Sequence, residues 1–573
     1  MSSGVAVGAK MRRFFWVLAA FLLACGSGLA GSKDVDKSVE HRIADFKSGK
    51  KPGSDKVRVI IQTVGDPDVR GVSDVVSKAG GKAVQKFGTF DGLVAEVPVS
   101  QLERVRNHPA TVRISEDLPV KGHSTTGTTF DVATYLASVD VDRLTSGAPN
   151  SWFANGVAGQ HIGVAVLDSG IAPGNDLSYG LVQTVDMITG STTPSDPFGH
   201  GTHVGGILAG IGINSNYTIL GTAPMASLYN IRVLDENGRG LTSTVIAGIE
   251  WVIKNRNRNK EAPIRVINLS LGHVPMESAS TDPLTLACRK AVSAGIVVVV
   301  SAGNYGQDSS GNTVYGGITS PGTEPSVITV GAMNTHKTAT RADDTLASYS
   351  SRGPTIDGLI KPDIVAPGSR IVAPMAPNNK LAAMYPKIVQ NANYMKLSGT
   401  SMAAPFVSGA VALILNKNPG LTPNAVKAIL MYTAERIGRN PLDVGAGYLN
   451  VFGAVNLAAS VDSTKPVSQY WITNGAGNLT QTDTVGGYTI VWGGTIVWGD
   501  SLYSGNAIYY NQKAWANTIL WGDSSTNWST TIVWDTSVSA LNALISGQTI
   551  VWDETIVWDD TIVWEDLIMV KGN

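Results

Sequence analysis

Five apolar runs, each followed by a helical segment, constrain the fold of this chain more than any other feature of its sequence. Within residues 131–460 these runs read IGVAVLD, SLYNIRVL, RVINLSLG, IVVVVSAGN and SVITVGAM. Continuous Val and Ile runs that alternate with helices are typical of parallel strands buried on both faces of a sheet. We therefore predict an α/β fold for residues 131–460, with a parallel sheet flanked by helices.

A smaller unit is expected before this region. Residues 57–121 contain alternating strand and helix patterns that predict a compact β-α-β-β-α-β arrangement, an α+β unit of the ferredoxin-like type. Residues 32–56 are polar and rich in Lys and Asp, and we predict that they form a linker.

The first 31 residues have the layout of a secretory signal. Lys10, Arg12 and Arg13 precede an apolar run, Phe14–Ala24, and small residues follow. The run is shorter than the roughly 20 residues that span a bilayer, so we predict export rather than a permanent membrane anchor. The ten residues before Met11 add nothing to this signal, so Met11 is an alternative start of translation. A lipid anchor at Cys25 is an alternative fate.

Residues 464–573 form a Trp-rich tail with seven copies of T-I-[VL]-W. Each copy predicts a short strand and turn, with Thr and Val on one face and Ile and Trp on the other. Two interpretations stay open, a stacked β-repeat structure and a low-complexity tail without a specific ligand. The copies start at Thr489, Thr495, Thr518, Thr531, Thr549, Thr555 and Thr561.

Charge and cysteine content exclude several classes of function. Lys plus Arg is 44 and Asp plus Glu is 45, a net charge of −1, so no basic excess indicates nucleic acid as a partner. The two cysteines, Cys25 and Cys288, cannot build a disulfide framework, and neither lies in a zinc-binding pattern. Cys288 lies in an apolar stretch and is expected to be a buried small hydrophobe.

Three separate segments carry residues suited to nucleophilic catalysis. GVAVLDSG places Asp168 at the carboxyl end of a buried strand, GHGTHV places His200 at the start of an apolar helix, and GTSMAAP places Ser401 at the start of another. Together they fit a triad in which Ser401 attacks an acyl carbon, His200 transfers the proton and Asp168 orients the imidazole. Asn304, just after a buried strand, would join the Ser401 backbone N–H as a donor to the oxyanion.

These segments resemble the subtilisin-like serine peptidases, the subtilases. The resemblance rests on D-S-G around Asp168, H-G-T-H-V from His200, A-G-N ending at Asn304 and G-T-S-M-A-A-P around Ser401, in the chain order Asp, His, Ser. It implies a serine endopeptidase that acts on polypeptides. It also implies that residues 57–121 are an inhibitory propeptide, cut off by the enzyme itself around residues 118–130.

The resemblance implies roles for further residues. One strand would pair with extended substrate, a second segment would form a pocket wall, and His203 would be structural. Tyr305 departs from the family pattern, because many relatives have a small or charged residue at that position, so the substrate preference stays open. The strand is Ser270, Leu271 and Gly272, and the wall is Ser301, Ala302 and Gly303. The chemistry needs no cofactor, but many relatives bind calcium, which implies a stabilising calcium site at Asp176, Asn214 and Asn216.

Two other functions compete with a secreted endopeptidase. The Trp-rich tail would suit a surface-attached binding protein whose peptidase activity is secondary. A catalytically dead scaffold is disfavoured, because Asp168, His200, Ser401 and Asn304 are all present. The expected partners are polypeptide substrates, the chain's own propeptide and, through the tail, the cell surface.

Overall fold

The computed structural model describes residues 34–50, 52–122, 141–174, 176–338, 340–463, 482–485, 488–498 and 501–503. The chain divides into two compact units, Met1–Asp117 and Leu118–Asn573. The signal segment 1–31 and most of the tail therefore lie outside the described residues.

The first unit is built on a five-stranded sheet with the strand order β1-β5-β2-β4-β3. Strand β2 is antiparallel to both β4 and β5, and β1 is parallel to β5. The strands are β1 (Asp34–Val35), β2 (Lys56–Thr63), β3 (Lys82–Lys86), β4 (Gly92–Pro98) and β5 (Thr111–Glu116), and the helices are α1 (Lys37–Lys47), α2 (Val72–Lys78) and α3 (Leu102–Arg106). From β2 to β5 the order is strand, helix, strand, strand, helix, strand, as the sequence pattern predicts.

Residues 32–56 do not form the predicted linker throughout. They include β1 and α1, and one buried side chain holds both to the sheet. The Asp36 carboxylate caps α1 by accepting the N–H of Val39 at 2.7 Å, and it accepts the N–H of Glu116 in β5 at 2.6 Å. A polar composition therefore concealed a helix whose cap is tied to a strand about 80 residues away.

The second unit contains an eight-stranded sheet. Seven of its strands follow the order β15-β14-β13-β11-β7-β9-β8, and the eighth, β16, pairs with β14. All its pairings are parallel except β14 with β15. These strands are β7 (Gly163–Asp168), β8 (Leu181–Asp186), β9 (Ser227–Arg232), β11 (Ile264–Leu269), β13 (Val297–Ser301), β14 (Ile328–Asn334), β15 (Thr345–Leu346) and β16 (Ile364–Pro367).

Shorter strands surround this sheet. A three-stranded sheet has the order β10-β6-β12, and three antiparallel pairs complete the set: β17 with β18, β19 with β20, and β21 with β22. Their bounds are β6 (Pro119–Gly122), β10 (Arg239–Leu241), β12 (Leu271–Gly272), β17 (Ile371–Pro374), β18 (Tyr394–Leu397), β19 (Thr482–Val485), β20 (Tyr488–Val491), β21 (Ile496–Trp498) and β22 (Ser501–Tyr503).

Helices cover the large sheet, and the longest of them, α10, runs through the core. Every residue from Thr400 to Leu415 in α10 is buried, so this helix is apolar on all sides. The helices are α4 (Val141–Ser146), α5 (Ala148–Asn155), α6 (His200–Ala209), α7 (Thr242–Asn255), α8 (Pro283–Ser293), α9 (Lys380–Met384), α10 (Thr400–Lys417), α11 (Pro423–Thr433), α12 (Pro441–Val444) and α13 (Val451–Ala459).

Two lysines and one aspartate form a buried charge cluster, which we call the lysine cluster: Lys361, Asp363 and Lys427. The Asp363 carboxylate lies 2.6 Å from the Lys361 ammonium and 2.9 Å from that of Lys427. Backbone carbonyls of Pro325 and Val327 accept from Lys427 at 2.8 and 2.9 Å. Burial lowers the pKa of Lys427 to about 7, assisted by the charge of Lys361 and opposed by Asp363.

Cys288 lies on the buried side of α8, as expected for a small hydrophobe. Burial raises the pKa of its thiol well above the ordinary value, and the carboxylates of Glu324 and Asp282 add to the effect.

Within the described residues, none of the helices combines the length and apolar character needed to cross a membrane.

Candidate active site

Three elements bring the predicted triad residues to one edge of the large sheet. Asp168 is the last residue of β7, His200 is the first residue of α6 and Ser401 is the second residue of α10. All three are at most 1% exposed. Carboxyl ends of parallel strands are where α/β proteins place reacting groups, so the location suits catalysis.

Asp168 and His200 form a direct hydrogen bond. His200 Nδ1 lies 2.7 Å from Asp168 Oδ1, which also accepts the N–H of Ser169 at 2.7 Å. The other ring nitrogen, His200 Nε2, is buried and has no hydrogen-bond partner in the described part of the chain, and the same holds for Asp168 Oδ2. A carboxylate on Nδ1 fixes the tautomer in which Nε2 is the basic nitrogen, so Nε2 is oriented to accept a proton.

Burial and charge act in opposite directions on His200. Burial alone lowers the pKa of the imidazole, but the Asp168 charge, its hydrogen bond and the charge of Asp196 together outweigh it and raise the pKa above its usual value. A raised pKa makes the imidazole a stronger base, at the cost of needing a higher pH to be neutral.

Ser401 is paired with the neighbouring strand segment. Its hydroxyl donates to the Ser270 carbonyl at 2.9 Å, and the Ser270 hydroxyl donates to the Ser401 carbonyl at 2.9 Å. In this arrangement the Ser401 hydroxyl is not bonded to His200. A contact between this hydroxyl and His200 would require the hydroxyl to rotate, and contacts of this kind often tighten only when substrate is bound.

Asn304 lies against the start of α10. Its side-chain oxygen accepts the N–H of Thr400 at 3.0 Å and the Thr400 hydroxyl at 3.0 Å. Because the oxygen is held by Thr400, the amide nitrogen is on the opposite branch of the side chain. The first N–H groups of a helix lack intrahelical partners, so the amide of Asn304 and the N–H of Ser401 are suitable donors to an oxyanion.

One further residue, Asp196, supports the site and was missed by the sequence analysis. Its carboxylate is 4% exposed and accepts four hydrogen bonds. The donors are the N–H of Gly199 at 2.8 Å, the N–H and hydroxyl of Thr202 at 2.8 and 2.7 Å, and the Ser169 hydroxyl at 2.8 Å. The Ser169 hydroxyl in turn accepts the N–H of Gly201 at 3.0 Å. These bonds fix the backbone on both sides of His200.

The sequence signal for Asp196 was ambiguous, since Asp before Pro in SDPFG is typical of a surface turn. Burial raises the pKa of this carboxyl, whereas its four hydrogen bonds act in the opposite direction. Asp168, His200 and Asp196 together are called the catalytic cluster below.

The predicted substrate strand already has a partner in the structure. Leu271 and Gly272, as β12, pair antiparallel with Gly122 and Lys121 of β6, and β10 pairs with the other edge of β6. A Cβ added to Gly122 would lie 3.1 Å from the His200 ring, so the strand passes directly beside the imidazole. The Lys121 ammonium lies 6.0 Å from the centre of the Tyr305 ring.

The predicted pocket wall is buried at the end of β13. Ser301, Ala302 and Gly303 are buried, and the N–H of Gly303 donates to the Thr400 hydroxyl at 3.1 Å, which links this wall to the start of α10. His203 is also buried, and its Nε2 lies 3.1 and 3.2 Å from the carbonyls of Ile371 and Met395, so it ties β17 and β18 to α6.

The predicted calcium ligands are only partly brought together. Asp176 is 2% exposed, and it accepts the N–H of Asn214 at 3.0 Å and the hydroxyl of Tyr394. Both carboxylate oxygens thus already face hydrogen-bond donors where a cation would have to bind. In the described residues there is also no group of three His, Cys, Asp or Glu side chains placed to hold a metal. These donors do not favour calcium, and the calcium site stays a prediction.

Comparisons with known proteins show which family this chain resembles. The model of the subtilase family matches residues 159–455. Serine protease AprX of Bacillus subtilis (strain 168) is 41% identical over 302 residues, covering 52% of this chain and 67% of the relative. Subtilisin E of the same strain is 34% identical over 384 residues, covering 66% and 85%.

A solved structure has a similar fold. Fervidolysin from Fervidobacterium pennivorans, described as a keratinolytic enzyme related to subtilisin, superposes with a TM-score of 0.56 at 22% identity. The match covers 70% of this chain and 61% of that one.

Proposed function

This chain belongs to the subtilase family and is a serine-type endopeptidase, and we propose that it is an exported enzyme that uses Asp168, His200 and Ser401 and processes its own precursor. The observation that carries the triad is the 2.7 Å contact between His200 Nδ1 and Asp168. It leaves His200 Nε2, which is buried beside β6, without a hydrogen-bond partner among the described residues.

The proposed reaction starts with the Ser401 hydroxyl, which leaves the Ser270 carbonyl and attacks the scissile carbonyl carbon. His200 Nε2 takes its proton, and Asp168 stabilises the imidazolium. Asn304 and the Ser401 N–H stabilise the oxyanion, and a donor of this kind is typically worth about 3–4 kcal/mol of barrier. His200 then protonates the departing amine, leaving an acyl-enzyme that water hydrolyses by the same proton route.

Self-processing is supported by the position of β6. This strand comes directly after the first unit in the chain, it pairs with β12 and β10 as an extended substrate would, and Gly122 is beside His200. We propose that β6 is the chain's own cleavage segment, that the cut follows shortly after Gly122, and that residues 57–121 inhibit the enzyme until then. Export is supported by the segment Phe14–Ala24.

The test follows the intact mass of the chain, produced without its signal, with Ser401→Ala and Ser293→Ala in parallel. Wild type should release a fragment of about 10 kDa, sized from residues 32–122 at roughly 110 Da per residue. Ser293, exposed at the end of α8, is the matched serine control and should be cut like wild type. Cutting of Ser401→Ala at the wild-type rate would contradict the proposal.

A second variant tests the cleavage segment itself. Gly122→Val adds a branched side chain at the His200 ring, so its processing should slow by at least tenfold, whereas Lys121→Ala, one residue earlier, should be cut at nearly the wild-type rate. The N-terminus of the mature enzyme should fall within residues 123–125. An N-terminus elsewhere, with Gly122→Val unaffected, would show that β6 is not the segment that is cut.

A further inference from the structure

The beginning of the tail is part of the second unit. Thr489–Val491 lies in β20, which pairs with β19, and with Trp492 it forms the first T-I-V-W copy. Ile490 and Trp492 are 1% and 4% exposed, whereas Val491 is 58% exposed, so in this copy Ile and Trp face inwards. On this inward face, Trp492 packs against Tyr432 of α11 and lies beside Gly453 of α13.

Trp492 occupies a pocket formed by Tyr432, Asn450, Gly453 and Asp483, which we call the tryptophan pocket. The indole is edge-on to the Tyr432 ring, with ring centres 6.3 Å apart at an angle of 79°. A Cβ at position 453 would lie 2.8 Å from the indole nitrogen and 2.4 Å from an Asp483 oxygen, so any side chain larger than that of glycine would obstruct the pocket.

A buried carboxylate makes this pocket specific for tryptophan. Asp483, in β19, is 7% exposed and accepts from the side-chain amides of Asn450 at 2.8 Å and Asn456 at 3.2 Å. The indole N–H of Trp492 donates to the same carboxylate. Phe or Leu would fill the space but would leave this buried charge with fewer donors, which is costly.

The remaining contacts use the main chain. β20 pairs with β19 in the register Ile490 with Asp483, and the N–H groups of Gly493 and Gly494 donate to the carbonyls of Ala434 and Tyr432 at 2.7 and 3.0 Å. Main-chain bonds of this kind do not depend on side chains. The site therefore binds one indole, one buried aliphatic side chain and an extended backbone segment.

The other six copies share T-I-[VL]-W with the first, but none of them has a glycine at the position of Gly494, whose φ is 60°. Four of them add an acidic residue directly after the Trp: Asp535, Asp553, Asp559 and Glu565. The first copy has Gly493 at that position, and a Cβ there would lie 3.4 Å from Cβ of the exposed Arg436 and 3.0 Å from the Ala434 carbonyl. After a shift of a few tenths of an ångström, an acidic residue would pair with Arg436, which the first copy cannot do.

We propose that the tryptophan pocket also binds T-I-V-W repeats from the tail of a second copy of this chain. A repeat of one chain replaces the first repeat of another, which is an exchange of nearly identical elements. Each chain carries seven repeats, and the described part of the chain has one pocket of this kind. Because pocket and tail are different surfaces, the contact is heterologous and joins chains in series.

The test uses the full chain with Ser401→Ala, so that self-cutting does not complicate the result. Sedimentation velocity should show a mass that rises with protein concentration. Arg436→Glu changes an exposed side chain and should weaken this association about two- to fivefold, as expected for an exposed ion pair. Arg439→Glu, at a nearby exposed position, is the matched control and should associate like the parent.

A peptide of residues 549–566, which contains three repeats, tests the pocket directly. Adding Trp492→Ala to the Ser401→Ala chain removes the competing first repeat, so peptide binding should tighten at least tenfold. The same peptide with its three Trp residues replaced by Ala is the control and should not bind. If Trp492→Ala does not fold, peptide binding to the parent chain and its weakening by about two- to fivefold in Arg436→Glu decide the question.

Three results would overturn the proposal: equal binding of the Trp and Ala peptides, a chain that stays monomeric at all concentrations, or association unaffected by Arg436→Glu. A monomeric chain that nevertheless binds the Trp peptide would assign the pocket to repeats of the same chain. Because these measurements use an inactive chain, their failure leaves the proposed peptidase function untouched.

Discussion

The catalytic cluster and the lysine cluster both hold buried charge in the second unit, yet they differ in how completely their polar atoms are bonded. In the lysine cluster each ammonium contacts Asp363 and at least one carbonyl. In the catalytic cluster, His200 Nε2 and Asp168 Oδ2 have no partner among the residues described. An unmet hydrogen-bonding need at a buried site is expected where a reacting group will bind, whereas a saturated cluster stabilises structure.

The largest expected effect comes from the catalytic cluster. Asp168→Asn keeps the shape of the side chain but no longer holds the His200 tautomer or stabilises the imidazolium, so self-cutting should slow by about 10⁴-fold. The rate is measured from the loss of intact precursor. The unfolding midpoint should stay close to that of Ser401→Ala, and a slow variant that is also unfolded would fail to separate the two clusters.

In the lysine cluster the corresponding change should affect stability instead. Asp363→Asn leaves two buried ammonium groups without their counter-charge, and breaking a buried ion pair typically costs about 3–5 kcal/mol. Urea unfolding in the Ser401→Ala chain measures it. If the free energy of unfolding fell by less than about 1 kcal/mol, the carbonyls alone would be enough to stabilise the buried lysines. The comparison with the catalytic cluster would then fail.

Asp196→Asn separates charge from hydrogen bonding within the catalytic cluster. The Asp196 charge helps to raise the His200 pKa, so its removal should lower that pKa and move the acidic limb of the pH–rate profile to lower pH, because the imidazole becomes neutral earlier. Ser169→Ala removes one hydrogen bond to Asp196 and leaves the charge. The Ser169→Ala control should reduce the rate without moving the acidic limb of the pH–rate profile. Equal shifts of that limb in both variants would argue against a charge effect.

The smallest effect is expected for Lys427→Met, because Asp363 keeps Lys361 as its counter-charge at 2.6 Å and no buried charge is left unpaired. Wild-type Lys427 has a folded pKa of about 7, below its unfolded value, so the unfolded chain binds the extra proton between about pH 7 and 10.5. Stability from this residue should therefore rise with pH across that window. Between pH 7 and pH 9, the midpoint of thermal unfolding should rise less in Lys427→Met than in wild type. An equal rise in both proteins would assign the pH dependence to other groups.

The sequence was informative where the signal is local and incomplete where contacts are long-range. The Val and Ile runs predicted the central strands, and the motifs around Asp168, His200 and Ser401 predicted their positions at a strand end and at two helix starts. Asp196 could not be recognised, since a turn-like Asp becomes a buried acceptor only through its contacts with Ser169 and Thr202.

Two other features depend on partners that are distant in sequence. β6 pairs with residues about 120 and 150 positions later, and no pattern within Pro119–Gly122 specifies those partners. Trp492 is buried because Tyr432 and Gly453 provide a pocket, which composition alone could not show. Likewise, the polar sequence of α1 did not reveal that Asp36 joins it to β5.

The burial of Cys288 has a practical consequence for kinetics. If Cys25 leaves with the signal, the mature chain has one thiol, enclosed in α8 and held protonated by its surroundings. Such a thiol reacts with a labelling reagent only when the surrounding structure opens. The labelling rate would then report how often this part of the enzyme opens, which determines how long a peptidase survives among other copies of itself.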